Sequence, residues 1–201
     1  MRRRPRSSGS SGSWVACLVA ALLLSACTPD ALSSQARAGD DKNYIAGDGS
    51  VTELAPAERG EPVDVTGTSA EGDPVDLADL RGEVVVLNLW YAACGPCRAE
   101  ASDLVDVAAE TGADGVRFLG INTRDEPATA QAFQRTYDVP YPSILDAQGA
   151  VVLALAGQVS PQAVPTTLVV DRQGRVAARV LGPVDPSVLK SLVDAAVAEP
   201  A

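Results

Sequence analysis

The chain has 201 residues, of which 46% are hydrophobic and 4% aromatic, and it carries a formal net charge of −10. Its length suits one domain with a tail, and its acidic balance argues against a nucleic-acid partner, because phosphate binding needs clustered Lys and Arg. No His is present, which excludes His-based catalysis and His-ligated zinc or haem, and no metal site is predicted.

The first 26 residues are predicted to form a signal peptide for export. Basic residues open the chain, and residues 14–26 form an apolar stretch too short for a spanning helix of about 20 residues. The stretch ends in Leu-Ser-Ala before Cys27, which resembles the lipobox of bacterial lipoproteins. The resemblance implies that Cys27 is acylated and anchors the protein to the extracytoplasmic face of the bacterial cell membrane. The alternative is an ordinary signal peptide, cleaved elsewhere, with Cys27 unmodified.

Residues 27–60 are predicted to be a flexible tether, and residues 61–198 a folded domain. The tether contains Gly, Asp, Ser, Pro and Ala, with few large apolar residues and no lasting periodicity. The domain opens with two short alternating segments, 63–65 and 74–77, which are separated by glycines. Such a pair of segments predicts an N-terminal β-hairpin.

Alternating strands and helices fill the rest of the domain. Continuous apolar runs predict buried strands, apolar residues at helical spacing predict helices, and Asp125 is the predicted N-cap of the second helix. The βαβ alternation predicts parallel strands between layers of helices, and a closing hairpin adds an antiparallel edge. The fold class is therefore α/β, with a central mixed sheet flanked by helices. The predicted strands are 84–90, 116–121, 166–170 and 175–180, and the predicted helices are 95–110, 126–137 and 185–198.

The chemistry is predicted at the junction between the first long strand and the first long helix. Cys94-Gly95-Pro96-Cys97 stands there, and the N-terminus of a helix stabilises a thiolate through its free N–H groups and its dipole. A thiolate at Cys94 can attack a disulfide, and Cys97 lies close enough to take over the bond. One alternative is a structural disulfide, although so short a loop gains little from closure. The other is a zinc site, which lacks two further ligands.

Residues 89–100, LWYAACGPCRAE, resemble the active-site segment of the thioredoxin superfamily and are most similar to the ResA/TlpA-like group of extracytoplasmic reductases. The likeness extends over residues 61–198 and includes Tyr141-Pro142 and Pro165-Thr166. It implies a thioredoxin-like fold. It also implies thiol–disulfide exchange with protein clients through a redox-active disulfide, without any other cofactor.

The resemblance assigns roles residue by residue. Cys94 takes the position of the nucleophile and Cys97 that of the resolving cysteine. Pro165 takes the position of a cis-proline that faces the dithiol and leaves the preceding backbone free to pair with a client strand. The residues implied to contact clients are Trp90, Gly95, Pro96 and Val164.

Glu100 falls where the ResA-like group carries an active-site glutamate, which implies a part in thiol acidity or proton relay. Asn88 stands where cytoplasmic thioredoxins have a buried Asp, so Glu100 is the nearby candidate for proton transfer to Cys97. The alternative for Glu100 is a solvated acid in the first turn that complements the helix dipole. Ala93 replaces the Trp that usually precedes the first Cys, which implies a more open site or a different choice of partner.

The functional hypothesis from the sequence is a monomeric thiol–disulfide oxidoreductase that reduces exported proteins. The resemblance implies clients such as the haem-binding cysteines of apocytochrome c, and electrons from a transmembrane donor. One alternative is a peroxiredoxin-type peroxidase, but residues 87–93 lack the Pro and the Thr or Ser expected upstream of its cysteine. Another is a non-enzymatic lipoprotein with a structural disulfide.

Overall fold

A computed structural model describes residues 50–159 and 163–200. The predicted signal peptide, Cys27 and the tether up to residue 49 lie outside the described residues. The strands are β1 Val51–Glu53, β2 Thr66–Thr68, β3 Pro74–Asp76, β4 Val84–Trp90, β5 Val116–Asn122, β6 Ser143–Leu145, β7 Thr166–Val170 and β8 Val176–Leu181. The α-helices are α1 Gly95–Thr111, α2 Pro127–Thr136, α3 Ala150–Ala154 and α4 Pro186–Ala198, with short 3₁₀ helices at Leu77–Leu80 and Gly112–Asp114.

Six strands form one mixed sheet in the order β1-β8-β7-β4-β5-β6. The neighbours β4, β5 and β6 run parallel, whereas β7 is antiparallel to β4, β8 to β7, and β1 to β8. Strand β4 lies at the centre and is buried at every residue, because layers of structure cover both of its faces. The carboxyl ends of β4 and β5 therefore meet the start of β7 at one edge of the sheet, where the predicted dithiol lies.

The parallel strand that follows α2 is β6, which the sequence did not predict. It has only three residues, too few for an alternating pattern to stand out, and its pairing with β5 defines it. The strand predicted at 166–170 is present as β7 but runs antiparallel to β4.

The predicted boundary between tether and domain is wrong, because strand β1 lies within the predicted tether and belongs to the sheet. Residues 51–53 were assigned to the flexible tether, yet they pair with β8 through Val51–Val180, Thr52–Arg179 and Glu53–Ala178. Backbone pairing with a sheet edge, rather than an apolar pattern, holds this strand. The folded domain therefore begins before residue 61.

The N-terminal hairpin is present, but its first strand lies later than predicted. Strands β2 and β3 pair antiparallel, with Gly67 opposite Val75. Val63 and Val65, predicted as strand residues, are instead buried in the core against the sheet. Their alternation reflects packing of a loop on the sheet rather than pairing within the hairpin.

Each face of the sheet is covered by apolar side chains. On one face α1 and α4 contribute Leu104, Val107, Leu189, Leu192, Val193 and Ala196. On the other face the segment before the hairpin, the first 3₁₀ helix and the region of α3 contribute Val63, Val65, Leu77, Val151, Val152 and Leu155.

An ion-pair cluster joins three distant parts of the chain at the end of the sheet away from the dithiol. Arg59 Nη1 lies 2.9 Å from Asp171 Oδ2 and 2.6 Å from Glu199 Oε2. Burial alone would raise the pKa of Asp171, but hydrogen bonds from the Arg175 backbone and from the Arg59 side chain bring it below its usual value. The cluster therefore holds the segment after β1, the β7–β8 turn and the C-terminal residues together.

Candidate active site

The dithiol lies where β4 gives way to α1, as predicted. Cys94 is the N-cap of α1, and its Sγ accepts a hydrogen bond of 3.1 Å from the backbone N–H of Cys97. The two residues form a disulfide, with their Cα atoms 5.3 Å apart. Pro96 occupies the first turn of the helix, where a missing N–H costs no hydrogen bond.

The predicted cis-proline is confirmed, because the Val164–Pro165 peptide bond is cis. Val164 belongs to the same buried apolar cluster as Cys94 and Cys97. Val164 is 0% exposed as a whole residue, so neither its side chain nor its backbone is open to a client in this oxidised state.

Aromatic side chains form the floor of the site. The rings of Trp90 and Phe133 lie 4.3 Å apart, those of Phe133 and Tyr137 lie 4.5 Å apart, and the Trp90 indole donates to Ser143 Oγ. Trp90 is only 4% exposed, so it supports the site from beneath, whereas a client-contacting residue would lie on its surface. Gly95, by contrast, is exposed next to the disulfide.

Access to the sulfur atoms is restricted in this oxidised state. Cys94 is 0% exposed and Cys97 2%. Ala93 and Gly95, on either side of Cys94, are exposed. A client must therefore approach over these two small residues, and the atoms that cover Cys94 must move before a bond can form.

Glu100 is buried, and the alternative of a solvated first-turn acid is wrong. Its side chain lies inward because Cys97, Glu100 and Leu104 share the face of α1 that packs on the sheet. The carboxylate accepts hydrogen bonds from Asn88 Nδ2 at 3.0 Å and from the backbone N–H of Val184 at 2.9 Å. Burial raises the pKa of Glu100 to about 7, although both hydrogen bonds oppose the shift.

Asn88 connects the glutamate to the rest of the sheet. Its Nδ2 also donates to Thr167 Oγ1 at 3.1 Å, so the side chain bridges β4, α1 and β7. Asn88, Cys97 and Tyr141 also line a cavity of about 10 Å³. Burial, followed by the charge of Glu100, raises the pKa of Tyr141. Asn88 and Tyr141 thus share a cavity with Cys97, and Glu100 is joined to Asn88 by its hydrogen bond; of these three polar residues, the sequence singled out Asn88 and Glu100.

Asp125 does not cap α2 as predicted, because Glu126 is the N-cap residue. The Asp125 carboxylate instead accepts a hydrogen bond of 2.6 Å from the backbone N–H of Ala92 and one of 2.7 Å from Asn122 Nδ2. It therefore ties the turn after β5 to the loop that leads into Cys94. The sequence signal for this role is an Asn and an Asp three residues apart after a strand, both of which favour turns.

Comparison with known proteins gives a family match over the described domain. The profile of the AhpC/TSA family matches residues 60–179. The soluble secreted antigen MPT53 of Mycobacterium tuberculosis is 37% identical over 91 residues, which cover 45% of this chain and 51% of that protein. The thiol-disulfide oxidoreductase ResA of Bacillus subtilis is 31% identical over 96 residues, covering 48% of this chain and 51% of ResA. The chain thus spans about half the length of the curated relatives it matches.

Solved structures match over a larger share of both chains. A secreted thiol-disulfide isomerase from Corynebacterium glutamicum has a TM-score of 0.71 and 34% identity, covering 78% of this chain and 97% of its own. A DsbF homologue from Corynebacterium diphtheriae has a TM-score of 0.69 and 35% identity, covering 76% of this chain and 96% of its own. These matches confirm the fold class predicted from the sequence.

Proposed function

The chain belongs to the AhpC/TSA family and has a thioredoxin-like fold, and we propose that it is a thiol–disulfide oxidoreductase of the ResA/DsbE kind. The observation that carries the proposal is the disulfide between Cys94, at the helix N-cap, and Cys97, clustered with Val164 before the cis-proline Pro165. A disulfide closed over two residues adds little stability, whereas this position suits reversible opening and closing.

The reaction begins from the reduced dithiol. The Cys94 thiolate attacks one sulfur of a client disulfide, so that a mixed disulfide forms and the other client sulfur leaves as a thiolate that takes up a proton. Cys97 loses its proton and attacks Cys94 Sγ, which restores the Cys94–Cys97 bond and releases the second client thiol. The client gains two electrons and two protons, and the protein loses them.

The backbone around Cys94 supports the first step. The N–H of Cys97 already donates to Cys94 Sγ at 3.1 Å, and such a hydrogen bond strengthens when the sulfur is a thiolate. The α1 N-terminus adds the positive end of its dipole. Both effects hold negative charge on Cys94 in preference to Cys97.

Glu100 is proposed as the group that handles the proton of Cys97. Its pKa of about 7 allows it to accept and return a proton near neutral pH, whereas an ordinary carboxyl would stay ionised. The neighbouring Asn88 cannot titrate, so it orients the carboxylate and leaves the proton to Glu100.

The setting is proposed from the sequence and from the relatives. The predicted lipobox at Cys27 supports a lipid anchor, and two relatives are described as secreted. Within the parts of the chain that the structure describes, no helix is both long and apolar enough to cross a membrane. We place the monomeric domain at the extracytoplasmic face of the cell membrane. There it would reduce exported proteins such as apocytochrome c with electrons from a transmembrane donor.

The test is reduction of insulin disulfides by the full chain, with dithiothreitol as the electron donor. Cys94→Ser is expected to abolish the activity, because no thiolate remains for the first attack. Cys97→Ala is expected to stop after one step, and when it is first reduced and then freed of dithiothreitol, its mixed disulfide with insulin on Cys94 is visible by non-reducing electrophoresis. Ser102→Ala, an exposed change on the same helix, is the control and retains full activity. Activity of Cys94→Ser above the rate with dithiothreitol alone would refute the assignment.

Two further measurements address the alternatives. Consumption of hydrogen peroxide by the reduced chain distinguishes a peroxidase, and none is expected because residues 87–93 contain no Pro, Thr or Ser. The reduction potential of the Cys94–Cys97 pair distinguishes a structural bridge. A value well below about −300 mV would identify a structural disulfide.

A further inference from the structure

A groove of about 970 Å³ lies beside the N-terminal hairpin and is not part of the dithiol site. Three parts of the chain line it, namely the hairpin around Asp73, the side of α2 that carries Gln134, and residues 138–142. Its volume is at the upper end of the range usual for ligand sites, about 300–1,000 Å³. The groove is therefore large enough for a short segment of another chain.

The side chains that line the groove carry an excess of negative charge. The carboxylates are those of Glu71, Asp73 and Asp138, and the cation is Arg135. All four residues are exposed, and the ion pairs found in the described parts of the chain involve other side chains. In those parts, no group of three or more Cys, Asp or Glu side chains could hold a metal ion. The charge of the groove therefore favours an organic cation as its ligand.

Gln134 gives a second and independent indication of a ligand. This residue lines the groove and is only 8% exposed. Its Nε2 donates to the carbonyl of Tyr141 at 3.2 Å, whereas its Oε1 is buried and accepts no hydrogen bond from any described residue. A buried acceptor without a donor is unfavourable, so the groove favours a ligand that brings an N–H group.

The apolar part of the groove suits a lysine or arginine side chain on a peptide. Pro74, Val75, Val139 and Pro140 provide hydrocarbon surface on which the methylene groups of such a side chain can lie. Strand β3, which contributes Pro74 and Val75, pairs only with β2 among the described strands. An extended segment can pair with a strand edge of this kind, which favours a peptide over a small free amine.

The groove and the dithiol region share two residues. Val139 and Tyr141 line the groove, and both also line the small cavity to which Cys97 contributes. A peptide seated in the groove therefore contacts residues that border the resolving cysteine.

We propose that this groove binds a lysine- or arginine-bearing segment of the client protein while the client disulfide reacts at Cys94. The carboxylates pair with the cationic side chains, and Gln134 Oε1 accepts an N–H of the occupant. The predicted tether of this chain matches the groove poorly, because residues 27–49 contain four acidic residues and two basic ones. The inference rests on the proposed oxidoreductase function and defines the class of client that the protein accepts.

Binding is measured first, on the oxidised full chain, where no disulfide exchange is needed. The probe is a fluorescein-labelled peptide, Thr-Lys-Val-Lys-Val-Lys-Thr, and the reference peptide has Gln in place of each Lys. Fluorescence anisotropy at low salt is expected to give a Kd about tenfold lower for the Lys peptide, since each exposed ionic contact contributes modestly. A third peptide, with trimethyllysine, keeps the charge but has no side-chain N–H, and we expect it to bind about threefold more weakly than the Lys peptide.

The variant Glu71→Gln/Asp73→Asn/Asp138→Asn removes the three carboxylates of the groove. It is expected to bind the Lys peptide about tenfold more weakly than the unmodified chain does. Asn suits position 138 because, like Asp, it tolerates the positive φ of 54° that the backbone has there.

The matched control is Asp106→Asn/Glu110→Gln/Asp114→Asn, which removes the same charge from exposed residues outside the groove. This variant should keep most of the preference for the Lys peptide. It separates binding in the groove from a general attraction of cations to an acidic protein.

Reduction is measured second, on a disulfide-loop peptide joined to the Lys or the Gln sequence. A Gly/Ser linker of about twelve residues joins the two parts and spans roughly 19 Å, so the peptide does not require one fixed separation of the two sites. Dithiothreitol supplies the two electrons and two protons that the peptide gains. We expect kcat/KM to be about fivefold higher with the Lys sequence, and the groove variant to lose this difference.

The outcomes separate the two proposals. Equal Kd values for the Lys and Gln peptides, or equal weakening by the groove variant and the control variant, would overturn the groove as a site for basic segments and leave the oxidoreductase standing. Equal binding of the trimethyllysine peptide would refute the part assigned to Gln134. Equal kcat/KM values for the two joined peptides would refute a role of the groove in the choice of client. Failure to reduce either joined peptide would instead overturn the oxidoreductase proposal, whereas the binding result would stand.

Discussion

At the scale of single residues, Glu100 shows how burial changes the chemistry of a common side chain. A carboxyl on an exposed helix face would be ionised and solvated at neutral pH. Here its position on the inward face of α1 leaves two donors, Asn88 and the backbone of Val184, in place of water. The two hydrogen bonds do not offset the loss of hydration, so the pKa rises to about 7.

Glu100→Gln tests this pKa through stability. Because folded Glu100 holds its proton more tightly than the unfolded chain does, the unfolded state binds fewer protons between about pH 4.5 and pH 7. The contribution of Glu100 to the free energy of unfolding therefore falls as pH rises through this window, by up to about 3 kcal/mol. We expect Glu100→Gln to match the parent chain below pH 4.5 and to be more stable above pH 7.

The measurement is urea unfolding of the oxidised chain across this pH range. Gln fits the site because the Asn88 amide can rotate so that its oxygen, in place of its nitrogen, faces the substituted side chain. The Thr167 hydroxyl can then donate a hydrogen bond to that Asn88 oxygen. Glu110→Gln, an exposed change on the same helix, is the control and should follow the parent chain at every pH. A constant difference between Glu100→Gln and the parent chain would contradict the raised pKa.

At the scale of elements, the close approach of β5 and β6 positions the floor of the site. Gly120 on β5 lies opposite Ser143 on β6, and the Trp90 indole reaches across to donate to the Ser143 hydroxyl. A Cβ atom at position 120 would stand 2.7 Å from the Trp90 Nε1 and 2.9 Å from the Ser143 Cβ. Only glycine therefore lets the short strand β6 pair here while Trp90 stays under the dithiol.

Gly120→Ala is expected to destabilise the fold by about 1–3 kcal/mol, the usual cost of overpacking a well-filled core. It should also lower the rate of disulfide reduction, because the Trp90 ring must shift beneath the Cys94 loop. Denaturant unfolding and insulin reduction measure the two effects. Gly112→Ala is the control, since its Cβ meets nothing within 4 Å and its φ of −59° suits alanine. Unchanged stability in Gly120→Ala would show that the interstrand spacing relaxes freely.

At the scale of the whole molecule, the buried ion-pair cluster closes the domain at the end remote from the dithiol. The side chains of Arg59 and Asp171 are 3% and 1% exposed. Glu199 also pairs with Arg59, so the end of the described C-terminal segment is part of the cluster. A charge left alone at such a site costs far more than an exposed one, because no water replaces its partner. The cluster therefore makes the segment after β1 part of the folded domain.

Arg59→Met is expected to lower the free energy of unfolding by about 3 kcal/mol, because buried Asp171 loses one of its cationic partners. Arg117→Met removes an ion pair with Glu83 in which the side chains are 61% and 31% exposed, and it should cost less than about 1 kcal/mol. Urea unfolding at neutral pH compares the two variants. Equal losses in the free energy of unfolding from both substitutions would show that burial of the Arg59 cluster adds nothing to its stabilising effect.

The amino-acid sequence alone was enough to predict the strand-to-helix junction with Cys94 and Cys97, the position of Pro165 and the central strands β4, β5 and β7. These features depend on local signals, namely continuous apolar runs, helix starts and a short motif. The burial of Glu100, the contact of Asp125 with Ala92, and the places of β1 and β6 in the sheet became visible only in the folded chain. Each of these features depends on groups that folding brings together from distant parts of the chain. A three-residue strand or a single polar side chain has no periodic pattern from which such a partner could be predicted.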